Sequence, residues 1–161
     1  MHVVILGYGS PDRGDDAAGL LVAKHLRSHL PAGADIRSIA SDGTALLAAW
    51  QNAGAAIVID AVVSGAQPGT IHRLASWRSL PQSFRFASSH SFGLAEAVQL
   101  AETLQILPPH LVIYGIEAGQ FELGRGLSPQ VESALPELCR RIQLEYGALT
   151  SAAATVSPGK S

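Results

Sequence analysis

The sequence predicts an α/β protein: a three-layer αβα sandwich around a mostly parallel central sheet of about five strands, with one antiparallel edge strand. Three observations carry that expectation. Short β-branched apolar runs alternate along the chain with segments of helical periodicity. The runs are apolar throughout rather than at every second residue, as in strands covered on both faces. Hydrophobic residues make up 47% of the 161 and charged ones 15%, which suits one compact domain with a buried sheet.

Val3 to Leu6 is the first such run, and it ends in the glycine turn Gly7-Tyr8-Gly9-Ser10-Pro11. Asp12, Asp15 and Asp16 follow, and from Asp16 onward Ala18, Leu21, Val22, His25 and Leu26 recur at helical spacing until Pro31 and Gly33 close the helix. His25 and His29 stand four apart and read as partly buried helix residues, since no third ligand lies near in sequence. A second strand is expected around Asp35 to Ile39, a turn at Ser41-Asp42-Gly43-Thr44, and a helix from Ala45 to Trp50. Ala55 to Val63 is the clearest central strand, with Asp60 alone inside an otherwise apolar run.

Pro68 to Leu74 alternates and reads as an edge strand after a turn. Ala75 to Ser89 is irregular, long for a loop in a small domain, and delivers Ser88-Ser89-His90-Ser91-Phe92-Gly93. Leu94, Val98, Ala101 and Gln105 mark a helix, Leu111 to Ile116 another buried strand, and Glu117 to Leu127 a second surface loop. Ser128 and Pro129 suit an N-cap and first turn of a last helix carrying Val131, Leu135, Leu138 and Ile142 on one face. A single globular domain is thus expected over residues 1–149, with a disordered tail over 150–161.

Composition narrows the function classes. A net charge of −2 and pI near 6.3 point away from nucleic acid and from anionic membranes. The single cysteine, Cys139, excludes an internal disulfide and a multi-cysteine zinc site. No run reaches the roughly 18 apolar residues of a membrane span, so a cytoplasmic protein is expected.

The opening turn invites comparison with a dinucleotide fingerprint, but Asp12 stands where its third glycine belongs. Carboxylates at the helix start would also repel a pyrophosphate. The same place suits a cation. In an open parallel sheet, residues at the carboxyl ends of neighbouring strands meet above the switch point. Asp15 or Asp16 after the first strand, Asp60 in the central strand and His90 in the loop would there offer two carboxylates and an imidazole to a divalent metal with open positions. Each residue also has a bland role available: Asp16 beside the helix dipole, His90 bonding backbone. Asp60 is the hardest to dismiss, because a lone carboxylate in an apolar strand is costly.

These residues stand in a recognisable order. G-x-G-x-P-x-R-G-D-D-x-x-G from Gly7 to Gly19, Asp42-Gly43-Thr44, Val58-Ile59-Asp60-Ala61-Val62, Ser89-His90-Ser91-Phe92-Gly93-Leu94 and Gly126-Leu127-Ser128-Pro129 together resemble the hydrogenase maturation proteases. The resemblance spans roughly Met1 to Gly147. It implies an aspartic-type endopeptidase that trims the C-terminal extension from the precursor of a nickel–iron hydrogenase large subunit. It further implies nickel contacts from Asp16, Asp60 and His90. A site with carboxylates and no Ser–His pairing in a nucleophile-elbow context suggests Asp16 or Asp60 as general base, and Asp42, Gly43 and Thr44 are expected to shape the cleft beside the substrate. The nickel would arrive with the precursor, and no tightly bound organic cofactor is expected. Ser10 departs from the asparagine usual in the family, and Ala17 from a frequent glycine. Two other readings fit the same residues: another metal-dependent hydrolase, and a nickel-delivery protein that cleaves nothing. Trp77, Phe84, Phe86 and Phe121, in the two long loops, are candidates for gripping the partner or for the core.

Overall fold

A computed structural model describes residues 1–76, 78, 84–87 and 92–155. Its elements in chain order are β1 (Val3–Gly9), α1 (Ala18–Leu26), β2 (Asp35–Ala40), α2 (Gly43–Trp50), β3 (Ala55–Val63), β4 (Ile71–Leu74), β5 (Arg85–Phe86), α3 (Leu94–Thr103), β6 (His110–Glu117) and α4 (Pro129–Thr155). The sheet runs β2-β1-β3-β6-β4, with the two-residue β5 paired to β3 off this path. The β1–β2, β1–β3 and β3–β6 pairs are parallel, whereas β4 on β6 and β5 on β3 are antiparallel. The αβα expectation holds, with β4 as the antiparallel edge.

Strand alternation sorts the core into two layers. Ile5, Ile57, Ile59, Ala61, Val112 and Tyr114 pack with α1 and α4 through Val22, Leu26, Leu138 and Ile142. Val4, Leu6, Tyr8, Val58, Val62 and Ile113 point the other way, onto Leu46 and Trp50 of α2 and Leu94 and Val98 of α3. Since Asp60 alternates with Ile59 and Ala61, it faces the α2–α3 side.

Several expectations needed correction. The first strand continues through the glycine turn to Gly9 and is buried along its whole length. Glycine does not break it because close approach of α1 requires glycine there. A Cβ on Gly7 would collide with the Gly19 carbonyl and the Ala23 side chain, and one on Gly19 with the Ile59 and Tyr8 carbonyls. Residues Gly14–Ala17 form a 3-10 turn before α1 rather than its first turn. His25 and His29 are exposed, with rings stacked 4.0 Å apart and the His29 Nδ1–H donating to the His25 carbonyl.

Glu117 closes β6 instead of opening a loop, and it is buried. Its carboxylate accepts from the Ser64 amide (2.9 Å), the Ser64 hydroxyl and His72 Nε2 (3.3 Å), tying the ends of β3, β4 and β6 together. Ser128 does not cap α4 with its hydroxyl, which donates to Asp15. The last helix also runs past Thr150 to Thr155, as an alanine-rich segment propagates helix at little cost; residues 156–161 lie outside the described residues.

Candidate active site

The connections leave β1 and β3 in opposite directions across the sheet. The chain goes from β1 through α1 to the edge strand β2, returns through α2 to β3, and then moves to β4 and β6. The crevice between the carboxyl ends of β1 and β3 is therefore the switch point. Gly7 and Ile59 are the last β1–β3 pair in register, so Asp60 sits one step beyond it. Past that point β5 takes up the edge that β1 leaves, pairing Phe86 with Val62.

Asp60 is completely buried. Its Oδ1 accepts the Ala61 amide at 2.8 Å, and its Oδ2 has no hydrogen-bond partner among the described residues. Burial pushes its carboxyl well above the usual carboxylate range, and the charge of Asp16 pushes it further in the same direction. Asp16, carried over the crevice by the 3-10 turn, is 1% exposed. Both of its oxygens lack a hydrogen bond of good geometry among the described residues. Burial raises its carboxyl too, while the neighbouring Ser10 and the Arg13 guanidinium draw it part of the way back. Ser10 itself shares a 2.7 Å hydroxyl–hydroxyl bond with Ser41. Two buried carboxylates thus stand close enough to feel each other's charge, with three oxygens unclaimed among the described residues.

The neighbouring Asp15 is occupied elsewhere. Its Oδ2 accepts the amides of Gly119 (2.7 Å) and Gln120 (3.0 Å) and the Ser128 hydroxyl (2.8 Å), and its Oδ1 accepts the Ser128 amide (2.7 Å). It pins the loop after β6 onto the turn that carries Asp16. Adjacent residues in a 3-10 turn point about 120° apart, so only one of the two aspartates can face the crevice. The sequence offered that signal, and the structure assigns Asp16 to the crevice.

Asp42 is the N-cap of α2: its Oδ1 accepts the Thr44 amide (3.0 Å), the Thr44 hydroxyl (2.6 Å) and the Ala45 amide (3.4 Å). The Thr44 hydroxyl is the main cause holding Asp42 below its ordinary value. Gly43 is buried, donates its amide to the Phe92 carbonyl at 3.0 Å, and leaves no room for a Cβ against the Phe92 ring.

His90 lies outside the described residues, as do Ser88, Ser89, Ser91 and Trp77. The described residues flanking position 90 are both placed: the Ala87 amide donates to the Ala61 carbonyl (3.0 Å), and Phe92 rests on Gly43. Among the described residues no three His, Cys, Asp or Glu side chains gather as a metal site. Phe84 and Phe86 are buried in the α2–α3 layer rather than offered to a partner, and Phe121 is half-buried under the Arg13 guanidinium. Sequence reasoning missed Ser41, whose place just before Asp42-Gly43-Thr44 reads simply as turn chemistry.

Fold and crevice together define an open-sheet α/β enzyme whose switch point holds a pair of buried carboxylates. A family model, HycI hydrogenase maturation protease, matches residues 38–145. The chain is 25% identical over 150 residues to the hydrogenase expression/formation protein HupD of Thiocapsa roseopersicina, covering 90% of this chain and 67% of that protein. It is also similar to the hydrogenase maturating endopeptidase HybD from E. coli, with a TM-score of 0.77, 25% identity and 94% of each chain covered. The maturation protease HybD from Thermococcus kodakarensis shares the fold, with a TM-score of 0.74 at 23% identity over 89% of this chain and 97% of that one. The chain belongs to the hydrogenase maturation protease family, and it is accordingly an endopeptidase, a hydrolase of peptide bonds. No helix among the described residues is long and apolar enough to cross a membrane.

Proposed function

We propose that this endopeptidase removes the C-terminal extension from the nickel-loaded precursor of a nickel–iron hydrogenase large subunit, recognising the nickel through Asp16, Asp60 and His90. The observation that carries the reading is the set of three buried carboxylate oxygens, both of Asp16 and Oδ2 of Asp60, left without hydrogen-bond partners among the described residues. A buried acceptor in that state costs about 1–3 kcal/mol. A divalent ion brought by the substrate would satisfy all three, and such oxygens are hard enough donors to hold it alongside an imidazole. The bonds of Ala87 to Ala61 and of Phe92 to Gly43 support His90 as the third donor. Three residues of chain from Ala87 reach at most about 11 Å.

Asp16 or Asp60, in the carboxylate form that metal binding requires, serves as general base toward the water that attacks the scissile carbonyl. Asp42 and Thr44 cap α2, and Gly43 seats Phe92; the exposed faces of this turn line the path of the extension. The loop pinned by Asp15 extends the contact surface: its Leu123 is 79% exposed, and its Leu127 lines a cavity with Pro11, Ala17 and Leu21.

The test is processing of the cognate precursor followed by its mobility shift. Nickel-loaded precursor should be shortened by the wild-type protein and not by Asp16→Asn or Asp60→Asn, and nickel-free precursor should stay intact. Equal cleavage of the loaded and nickel-free forms would remove metal recognition from the reading.

A further inference from the structure

The geometry points to a binding site for a hydrated divalent transition-metal ion at the C-terminal end of α1, held by the imidazoles of His25 and His29. The site stands apart from the crevice: His25 lies about 10 Å of helix rise beyond the residue that opens α1.

Both side chains are exposed, and their rings stack with centroids 4.0 Å apart and planes 15° from parallel. A spacing of four places two histidines on one helical face, the arrangement by which a helix presents two nitrogens to one ion. Here α1 ends at Leu26, but the chain keeps turning. The His29 amide donates to the Leu26 carbonyl at 3.0 Å, and that turn carries the second ring onto the first. Metal–nitrogen bonds of about 2 Å set two neighbouring ligand nitrogens about 3 Å apart. Rings already stacked at 4.0 Å reach that separation by a small splay of their side chains.

One ring is also oriented for the task. A carbonyl can only accept, so the 2.9 Å bond between His29 Nδ1 and the His25 carbonyl puts the proton on Nδ1. In the neutral ring the lone pair is then on Nε2. The Ser28 hydroxyl donates to the same carbonyl at 3.0 Å, and its oxygen lies 3.1 Å from Nδ1, which holds the ring from a second side. A metal-bound histidine typically rests its other N–H on a carbonyl in this way, which fixes both tautomer and ring plane. The ring nitrogens of His25 have no hydrogen-bond partner among the described residues.

The surroundings favour a cation. Unpaired carbonyls at a helix C-terminus attract positive charge. Arg27 turns its guanidinium away to the Ser38 hydroxyl at 2.7 Å, and Lys24 stands about 100° round the helix from His25. Glu132 of α4 lines the same cavity as His25. Two imidazoles select nickel, copper or zinc over magnesium and calcium, with water in the remaining positions. Bound there, the ion fastens the end of α1 to the turn that leads into β2.

The probe is Ni²⁺ alone, titrated calorimetrically into the full chain free of any histidine tag. Dropping one of two tethered ligands forfeits the effective concentration of the other. His25→Ala and His29→Ala should therefore each weaken one binding event at least about tenfold, with the unfolding temperature of the metal-free protein unchanged. Asp16→Asn should leave that event as it is, which places the ion outside the crevice. In the wild type, substoichiometric Ni²⁺ should broaden the ring resonances of His25 and His29 together. Equal affinity in wild type and both histidine variants overturns the inference. So does a loss in only one of them, an adventitious ion on a single imidazole, and so does broadening of neither ring.

Discussion

Asp60→Asn puts the central physical claim under strain, because it should make the protein more stable and useless at once. In the unfolded chain this carboxyl ionises near pH 3.9. In the fold, burial and the charge of Asp16 keep it protonated to a much higher pH. Between those two values the folded state binds a proton that the unfolded state does not. Wild-type stability must therefore fall as pH rises through that window, by up to about 1.4 kcal/mol per pH unit from this group. Asparagine has nearly the same shape, can still accept the Ala61 amide with its Oδ1, and carries no charge at any pH. The gap between variant and wild type should open from zero below about pH 4. For a chain of this length it corresponds to about 3–6 °C in unfolding temperature per pH unit. Thermal melts from pH 3.5 to 8 on both proteins measure it, with precursor processing run in parallel. An unfolding temperature that tracks wild type across the whole range would show that Asp60 is not held as a buried, raised carboxyl. Retained processing would show that it takes no part in the chemistry.

Other outcomes follow from the same geometry. Asp15→Ala strips four charge-assisted hydrogen bonds from Gly119, Gln120 and Ser128; with each worth about 1.5–3 kcal/mol and not additive, urea titration should register a loss of at least about 3 kcal/mol. Limited proteolysis should then cut first around residues 119–126. Gly43→Ala forces a methyl into the Phe92 ring and carbonyl, so it should cost about 1–3 kcal/mol and lower processing by displacing the chain on the His90 side of Phe92. Glu145→Gln removes the charge that pairs with Arg73 and leaves one acceptor oxygen for the Arg73 and Tyr114 donors that link α4 to β4 and β6. The Arg73 hydrogen bond chiefly holds Glu145 below its ordinary value. Its stabilisation is therefore present above about pH 4.3 and disappears as pH falls through the folded value. With Arg73 half exposed to solvent, chemical melts at pH 7 should show a loss of only about 0.5–1 kcal/mol, and less at pH 3.

The elements were legible where a residue's neighbours in sequence are also the neighbours that matter. Ala55 to Val63 reads as a buried strand and is one, and so does the helix from Leu94. Boundaries went astray where a distant group decides. Gly7 and Gly9 read as a break, yet they lie in a strand, because α1 presses against Gly7 through Gly19 and Ala23, and the 3-10 turn presses against Gly9 through the Asp16 carbonyl. Glu117 reads as loop, yet Ser64 and His72 claim its carboxylate from two other strands. Phe84 and Phe86 read equally well as grip or core, and only the packing of α2 and α3 places them inside.

The sequence by itself determined the class of fold, the family and the candidate acids, because hydrophobic period, turn chemistry and the rarity of a carboxylate in an apolar strand are all written locally. Tertiary structure decided which donors reach each acid. Asp15 and Asp16 are the same residue type side by side, and residue chemistry alone does not rank them; only the family resemblance pointed to Asp16. One turn of backbone sends the first to the amides of a loop a hundred residues later and leaves the second without a hydrogen-bond partner among the described residues, over the switch point beside Asp60. A carboxylate's role depends on which donors reach it and how much water is excluded, and both are properties of the assembled crevice rather than of the chain order.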